Sequence, residues 1–278
     1  MRRSRWPRSS APRTRAGSST ACSTGSTKRR ARRPERPVRY AVLSDIHGNL
    51  EALEAVLGDA APRADAVLCL GDIVGYGADP AACIERVAER AQAITAGNHE
   101  HGVAGLLDLD WFNRYARAAA EWTRERLDDD HRAWLGALPL VVEIGDATLV
   151  HASPDRPEEW DYLVSAADGF AALPAFATRL CFVGHSHLPA AWSVGSSGPE
   201  FAAGPGELPL LAGRRYLVNV GSVGQPRDRD PRAAYALWDA ERGTLAIRRV
   251  AYDVLTARRK IVAAGLPHYL ADRLAWGA

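Results

Sequence analysis

Histidine, aspartate and one asparagine recur in this chain directly after short apolar runs. Asp45 and His47 follow VRYAVLS, and Asp72 follows DAVLCLG. Asn98, His99 and Glu100 follow AQAITAG, His151 follows ATLV, and His185 and His187 follow LCFVG. Imidazole, carboxylate and amide donors without a thiolate suit divalent ions such as manganese, iron, nickel or zinc. One ion takes about three to six donors. Asp45, His47, Asp72, Asn98, His151, His185 and His187 exceed that range, so two ions are expected. A carboxylate can bridge two metals, and Asp72, on its own segment between the other groups, is the natural bridge. Singly, each of these fragments reads as an ordinary loop; the ordered set, each member after a buried run, carries the metal reading.

Those side chains need a frame that delivers them together. The short apolar runs read as strands. Between the first two lies NLEALEAVLGDA, with a helical stripe at Leu50, Leu53, Val56 and Leu57 closed by Gly58. DPAACIERVAER follows the second strand, with Asp79 as N-cap and Pro80 in the first turn. AQAITAGNHE reads as a third strand running into a loop. Residues 105–137 read as one helical stretch, with Trp111, Tyr115, Ala118, Trp122 and Leu127 roughly on one face. After Leu140 strands dominate, SSGPEFAAGPGELP reads as a Gly/Pro-rich loop, and residues 254–264 as a last helix. The alternation of strand and helix predicts an α/β protein with a parallel or mixed sheet, one domain over residues 38–278. In such sheets ligands bind beyond the carboxyl ends of strands, where these polar residues fall.

The 278-residue chain has a formal net charge of +2, but the balance is uneven. Residues 1–40 hold thirteen Lys and Arg against Glu35 alone, a net +12; the remainder holds 22 basic and 32 acidic residues, a net −10. An acidic body is a poor sequence-independent binder of nucleic acid. No run of eighteen apolar residues predicts a transmembrane helix. Residues 1–37 read as a disordered basic tail: an extension without function, a nucleic-acid or partner arm, or a targeting segment. The four cysteines form no C-x-x-C pair. Cys69 and Cys181 sit in apolar runs, as small core residues in a reducing, cytoplasmic compartment.

The set SDIHGN, GDIVGYG, GNHE, VHASP and GHSHLP resembles the calcineurin-like metallophosphoesterase superfamily. With NVGSVGQPRD and AYALWD, it is similar to the small prokaryotic phosphodiesterase branch, over roughly residues 38–255. Glu100 stands where many relatives carry Asp. The resemblance implies a four-layer α/β/β/α sandwich of two packed mixed sheets flanked by helices. It implies that Asp45, His47, Asp72 and His187 hold a first ion, and that Asp72, Asn98, His151 and His185 hold a second. His99 would contact substrate or leaving group as general acid, oriented by Glu100 or a backbone carbonyl.

The expected cofactors are two divalent metal ions, manganese first, with iron, nickel or zinc as alternatives. The expected partner is a small-molecule phosphate ester, with no membrane. Two such ions with Asp45, Asp72 and a hydroxide leave a cationic centre that attracts phosphate and activates water. No Arg lies inside the ligand motifs, Arg227 being the nearest, which favours phosphodiesters or cyclic nucleotides. Dinucleoside polyphosphates and phosphomonoesters, protein phosphatase substrates included, are the alternative; a non-catalytic scaffold of the same fold is the rival class. Asn219, Ser222 and Arg227 lie in a Gly-rich loop that either presents N–H groups to phosphate or simply turns the chain. Trp111, Phe112, Tyr115 and Trp122 read first as helix packing and second as a base-stacking wall. His101, His131 and His268 match no motif and are assigned surface or capping roles.

Overall fold

The computed structural model describes residues 39–204 and 206–278; the reading of residues 1–37 lies outside them. The first half runs β1 (Arg39–Leu43), α1 (Leu50–Ala60), β2 (Ala66–Cys69), α2 (Pro80–Arg90), β3 (Ala91–Ile94) and α3 (Asn98–Ala104). A 3-10 turn at Leu109–Trp111, α4 (Arg114–Arg126) and α5 (Asp129–Gly136) follow. Next come β4 (Val141–Ile144), β5 (Ala147–Val150), α6 (Ala166–Ala172), β6 (Leu180–Val183), β7 (Ala190–Gly195), β8 (Gly198–Ala203) and β9 (Glu207–Pro209). The chain closes with β10 (Arg215–Asn219), β11 (Ala233–Asp239), β12 (Thr244–Val250), α7 (Val254–Ala263) and α8 (His268–Asp272).

The strands form two mixed six-stranded sheets, in the orders β3-β2-β1-β11-β12-β9 and β4-β5-β6-β10-β7-β8. Alternation along each strand builds the layers, because successive side chains point to opposite faces. On β1, Tyr40 and Val42 enter the core between the sheets, while Ala41 and Leu43 face the helices. On β6, Leu180 and Phe182 meet them across that core, while Cys181 and Val183 turn outward to Leu173 and Phe176. Four layers result, as the resemblance implies. α4, α7 and α8 share a further cluster around Tyr76, Ala119, Ile261 and Leu270, which closes one side of the site. Among the described residues no helix is long and apolar enough to cross a membrane.

Several local readings need correction. α1 runs through Gly58 to Ala60; a Cβ there would meet nothing, so the glycine marks no backbone demand. Asp79 is the N-cap of α2 with Pro80 in its first turn, as read, but its side chain makes no capping bond; the carboxylate pairs with Lys260 at 2.9 Å instead. The helical stretch at 105–137 is interrupted twice, at capping residues. Asn113 Oδ1 accepts from the N–H of Tyr115 and Ala116, each at 3.0 Å, and Asp128 accepts from His131 at 2.8 Å. The Gly/Pro-rich loop contains β8, paired antiparallel to β7, and β9, paired to β12. Exposed Pro, Gly and Glu masked both edge strands. Residues 98–104 are helical, so Asn98 and His99 lie on the first turn of α3.

Candidate metal centre

The carboxyl ends of β1, β2, β3, β5 and β6 converge, and their loops bring the seven candidate donors and His99 into one buried site. Asp45, His47, Asp72, His151, His185 and His187 are all at most 5% exposed. The chain bends sharply to aim them. Asp45, His47, Asp72, His185 and His187 have φ between 51° and 64°, a region that L-residues avoid. Each such residue costs about 1–3 kcal/mol, and strain of this kind concentrates at functional sites. Glycines permit the loops to touch: a Cβ on Gly97 would collide with Asp72 Oδ1, and one on Gly184 with Ser44 Oγ.

The imidazoles are fixed from behind. His47 Nδ1 lies 3.1 Å from Val74 O, His151 Nδ1 2.9 Å from Leu70 O, and His187 Nδ1 2.5 Å from Gln225 O. A carbonyl only accepts, so each Nδ1 carries a proton and each ring turns its Nε2 inward. That arrangement is the one metal-binding histidines use. His47 Nε2 and His187 Nε2 stand 3.1 Å apart, and His151 Nε2 stands 3.1 Å from His185 Nδ1. Facing lone pairs repel unless a cation or proton lies between them. Asp72 Oδ2 faces both groups, 3.6 Å from His47 Nε2 and 3.3 Å from His151 Nε2. Its Oδ1 accepts from the His99 N–H at 3.0 Å. Asp45 Oδ1 lies 3.2 Å from His187 Nε2, while Oδ2 accepts from the His185 N–H at 3.0 Å.

Asp45 Oδ1, Asn98 Oδ1 and His185 Nε2 are buried without a hydrogen-bond partner. Buried polar atoms are ordinarily satisfied, so the orphaned oxygens of Asp45 and Asn98 mark missing ligation, while the His185 Nε2, opposite the Nδ1 that faces His151, is left to carry the proton. The donors fall into two close groups, Asp45 with His47 and His187, and Asp72 with His151 and His185, their atoms within 4.8 Å of one another. The donor chemistry fits two divalent ions. The electrostatics agree. Burial pushes His185 down to about 3 and lowers His47 and His187, so these rings are neutral donors. Burial opposes charge on His151 too, but Asp72 and Asp45 outweigh it and hold His151 up at about 9, so with no ion present its Nε2 keeps a proton that a cation beside Asp72 would displace. The same negative charge invites cations.

His99 lies at the cavity wall. Its ring packs against Tyr76 at 4.7 Å and Phe112 at 5.0 Å, and its Nδ1 is buried without a partner. Burial pushes it down to about 4. His99 also groups with His47 and Asp72 within 4.8 Å. Glu100 does not orient it. Glu100 accepts from four backbone N–H groups instead: Asp72 at 2.6 Å, Ile73 at 2.8 Å, Val74 at 3.2 Å and Gly97 at 2.8 Å. It therefore shapes the turn that carries Asp72 and the Val74 carbonyl behind His47. Burial, then the charge of Asp72, push Glu100 up to about 7.

A cavity of about 240 Å³ opens above the site, lined by Asn98, His99, His185 and His187 with Trp111, Phe112, Tyr162 and Arg227. Trp111 and Phe112 thus reach the cavity. Tyr115 stacks on Tyr269 at 4.5 Å and Trp122 donates to Ala264 O, both as packing. Asn219 donates to Gly184 O at 2.6 Å, and Ser222 donates to Asp45 O at 2.8 Å, so both brace the loops. His101 meets Trp160 edge-on, His131 lies against its cap Asp128, and His268 opens α8. Tyr162 escaped the sequence reading. Its ring stacks on His185 at 4.0 Å, yet it sits in an irregular stretch with no motif to flag it.

Two mixed sheets carrying paired His and Asp clusters at their strand ends make the frame of a metal site with donors enough for two ions. The sequence profile of the calcineurin-like phosphoesterases matches residues 38–189, and the chain belongs to that family of hydrolases. It is 40% identical over 248 residues to an uncharacterized protein of Methanocaldococcus jannaschii, covering 85% of this chain and 97% of that one. It is similar to the crystal structure of a metallophosphoesterase from Sphaerobacter thermophilus: 41% identity, TM-score 0.77, 87% of this chain and 100% of that one. A hypothetical protein of Pyrococcus horikoshii shares the fold at 24% identity, with a TM-score of 0.69 over 87% of this chain and 99% of its own.

Proposed function

We propose that this chain hydrolyses phosphodiester bonds, in small diesters or cyclic nucleotides, with two manganese ions. Asp45, His47, Asp72 and His187 would hold one ion; Asp72, Asn98, His151 and His185 would hold the other. The observation that carries this reading is Asp72 Oδ2, set between two pairs of facing imidazole nitrogens 3.1 Å apart. Bound there, the ions would neutralise phosphoryl oxygens and supply a water acidic enough to act as nucleophile near neutral pH.

The chain's own residues do the rest. The Asp72 carboxylate holds α3 by its bond to the His99 N–H, which keeps that ring at the cavity wall. His99 donates a proton to the departing oxygen; burial disfavours the charged ring, so the proton is held only when the negative phosphate is bound beside it. Tyr76 and Phe112 enclose His99 and keep bulk water off one side. Glu100 keeps the Asp72 turn rigid. A second reading, monoesters or dinucleoside polyphosphates, draws on Arg227, which lines the cavity although no arginine lies inside the ligand motifs. The buried free thiols of Cys69, Cys83 and Cys181 support a reducing, cytoplasmic location.

The test is a substrate panel with added Mn²⁺: bis-nitrophenyl phosphate, a cyclic nucleotide, nitrophenyl phosphate and a dinucleoside polyphosphate. A diester should give the highest kcat/KM. A monoester turned over tenfold better than any diester would transfer the assignment to the second reading. Turnover of none would remove the catalytic reading in favour of a scaffold.

A further inference from the structure

Arg227 follows the Gly-rich loop after β10, and its backbone is tied to the site. Its N–H donates to His187 O at 3.4 Å, while His187 Nδ1 donates to Gln225 O at 2.5 Å. The side chain then runs into the cavity that Asn98, His99, His185 and His187 line. Its guanidinium donates to Gln225 Oε1 at 3.0 Å and lies 5.9 Å from the Tyr76 ring centre. Tyr162, stacked on His185, lies beside it. The Arg227 Nε is buried and has no hydrogen-bond partner.

Among the described residues Arg227 has no carboxylate partner. In a body of net −10 the neighbouring acids are taken: Asp228 pairs with Arg249, and Asp230 pairs with Arg232 at 2.7 Å. Gln225 and Tyr162 offer only neutral oxygens. Arg273, at the C-terminal end, adds a second positive charge nearby. A half-buried guanidinium held by neutral groups has lost hydration without gaining a counter-charge. Its planar set of donors matches a phosphoryl group, which it can hold through two parallel bonds.

We propose that Arg227 binds a phosphoryl oxygen of the substrate and sets how well the site accepts a doubly charged phosphoryl group relative to a singly charged diester. The inference rests on the phosphoesterase reading above and names a specificity residue within it. A diester offers the two ions one negative charge. A monoester dianion offers a second charge, and a fixed cation beside the ions is where that charge is met. Gln225 and Tyr162 pre-set the fork, so little rotamer freedom is lost on binding.

The experiment compares wild type, Arg227→Gln and Arg227→Lys, all loaded with Mn²⁺. Metal content and melting temperature are measured first, then the affinity for inorganic phosphate by calorimetry, then kcat and KM for nitrophenyl phosphate and bis-nitrophenyl phosphate. Arg227→Gln should keep both ions and its melting temperature, and bind phosphate about tenfold to a hundredfold more weakly, the range of a lost charge-assisted hydrogen bond. Its kcat/KM for the monoester should fall about tenfold further than for the diester. Arg227→Lys should recover part of the phosphate affinity through its charge. Unchanged phosphate affinity and an unchanged monoester-to-diester ratio, with both ions present, would overturn the proposal and leave Arg227 as a loop brace. A variant that loses an ion would overturn it equally, since Arg227 would then support the metal site. If wild type hydrolyses neither ester, the functional reading fails, and the phosphate affinities still decide the role of Arg227.

Discussion

Replacing Glu100 with Gln removes one oxygen from a carboxylate that four N–H donors surround. The two oxygens divide the work: Oε2 takes Asp72 and Gly97, and Oε1 takes Ile73 and Val74. A glutamine can present its oxygen to one pair only, and its NH₂ then meets two donors. Two hydrogen bonds to a charged acceptor are lost, at about 1.5–3 kcal/mol each. Part of that is offset, because a neutral amide is cheaper to bury than the carboxylate, whose pKa burial raises to about 7. A net destabilisation of about 2–4 kcal/mol remains. For a chain of this size that lowers Tm by roughly 5–15 °C. The turn also carries Asp72 and the Val74 carbonyl behind His47, so metal content should fall with stability. Differential scanning calorimetry in chelator isolates the folding effect, and elemental analysis reports the ions. A metal-free Tm within about 2 °C of wild type would refute the bracing role, because it corresponds to less than one such bond.

His99→Ala should retain both ions and lose about 10²–10⁴-fold in rate with a nucleoside diester, whose alkoxide needs a proton to depart. The loss should be clearly smaller with bis-nitrophenyl phosphate; equal losses would mean that His99 only positions the phosphate, and a lost ion would make it a ligand. Far from the site, Asp59 on α1 accepts from Tyr235 Oη at 2.7 Å and from Arg248 Nε at 2.8 Å, tying the helix to β11 and β12. Asp59→Asn should cost about 1–3 kcal/mol at neutral pH. The Arg248 bond holds the Asp59 carboxyl below its ordinary value, so this stability is present above about pH 4 and is lost as pH falls through the folded pKa. The Tm gap between wild type and variant should therefore narrow below pH 4; a gap constant from pH 7 to pH 3 would contradict the assignment.

The order of buried runs and the polar residues after them were open to reading because each β-end motif is local in sequence. What escaped was whatever depends on partners far along the chain. Asn113 and Asp128 are ordinary polar residues in a helical stretch until their side chains are seen to cap α4 and α5. β8 is recognisable only by its pairing with β7, since exposed Glu200 and Pro199 supply no apolar alternation. Glu100 read as a partner for an imidazole because it follows His99. On a helix, adjacent side chains point apart, so it turns to the backbone of the Asp72 loop. Arg227 is legible as the arginine nearest the ligand motifs, but its place at the cavity depends on its N–H bond to His187 O and on the bond from the His187 side chain to Gln225 O. Tyr162 belongs to a stretch where Arg156 and Trp160 adopt positive φ, a conformation that side-chain patterns do not announce.

The central claim is that two divalent ions share the Asp72 carboxylate. Chelated protein titrated with Mn²⁺, followed by calorimetry and by hydrolysis of bis-nitrophenyl phosphate in the same samples, tests it directly. Wild type should bind two ions per chain, with activity rising as the second site fills. Asp72→Asn should hold fewer than two and show almost no hydrolysis. Two ions bound to Asp72→Asn with full activity, or one ion sufficing in wild type, would contradict the account.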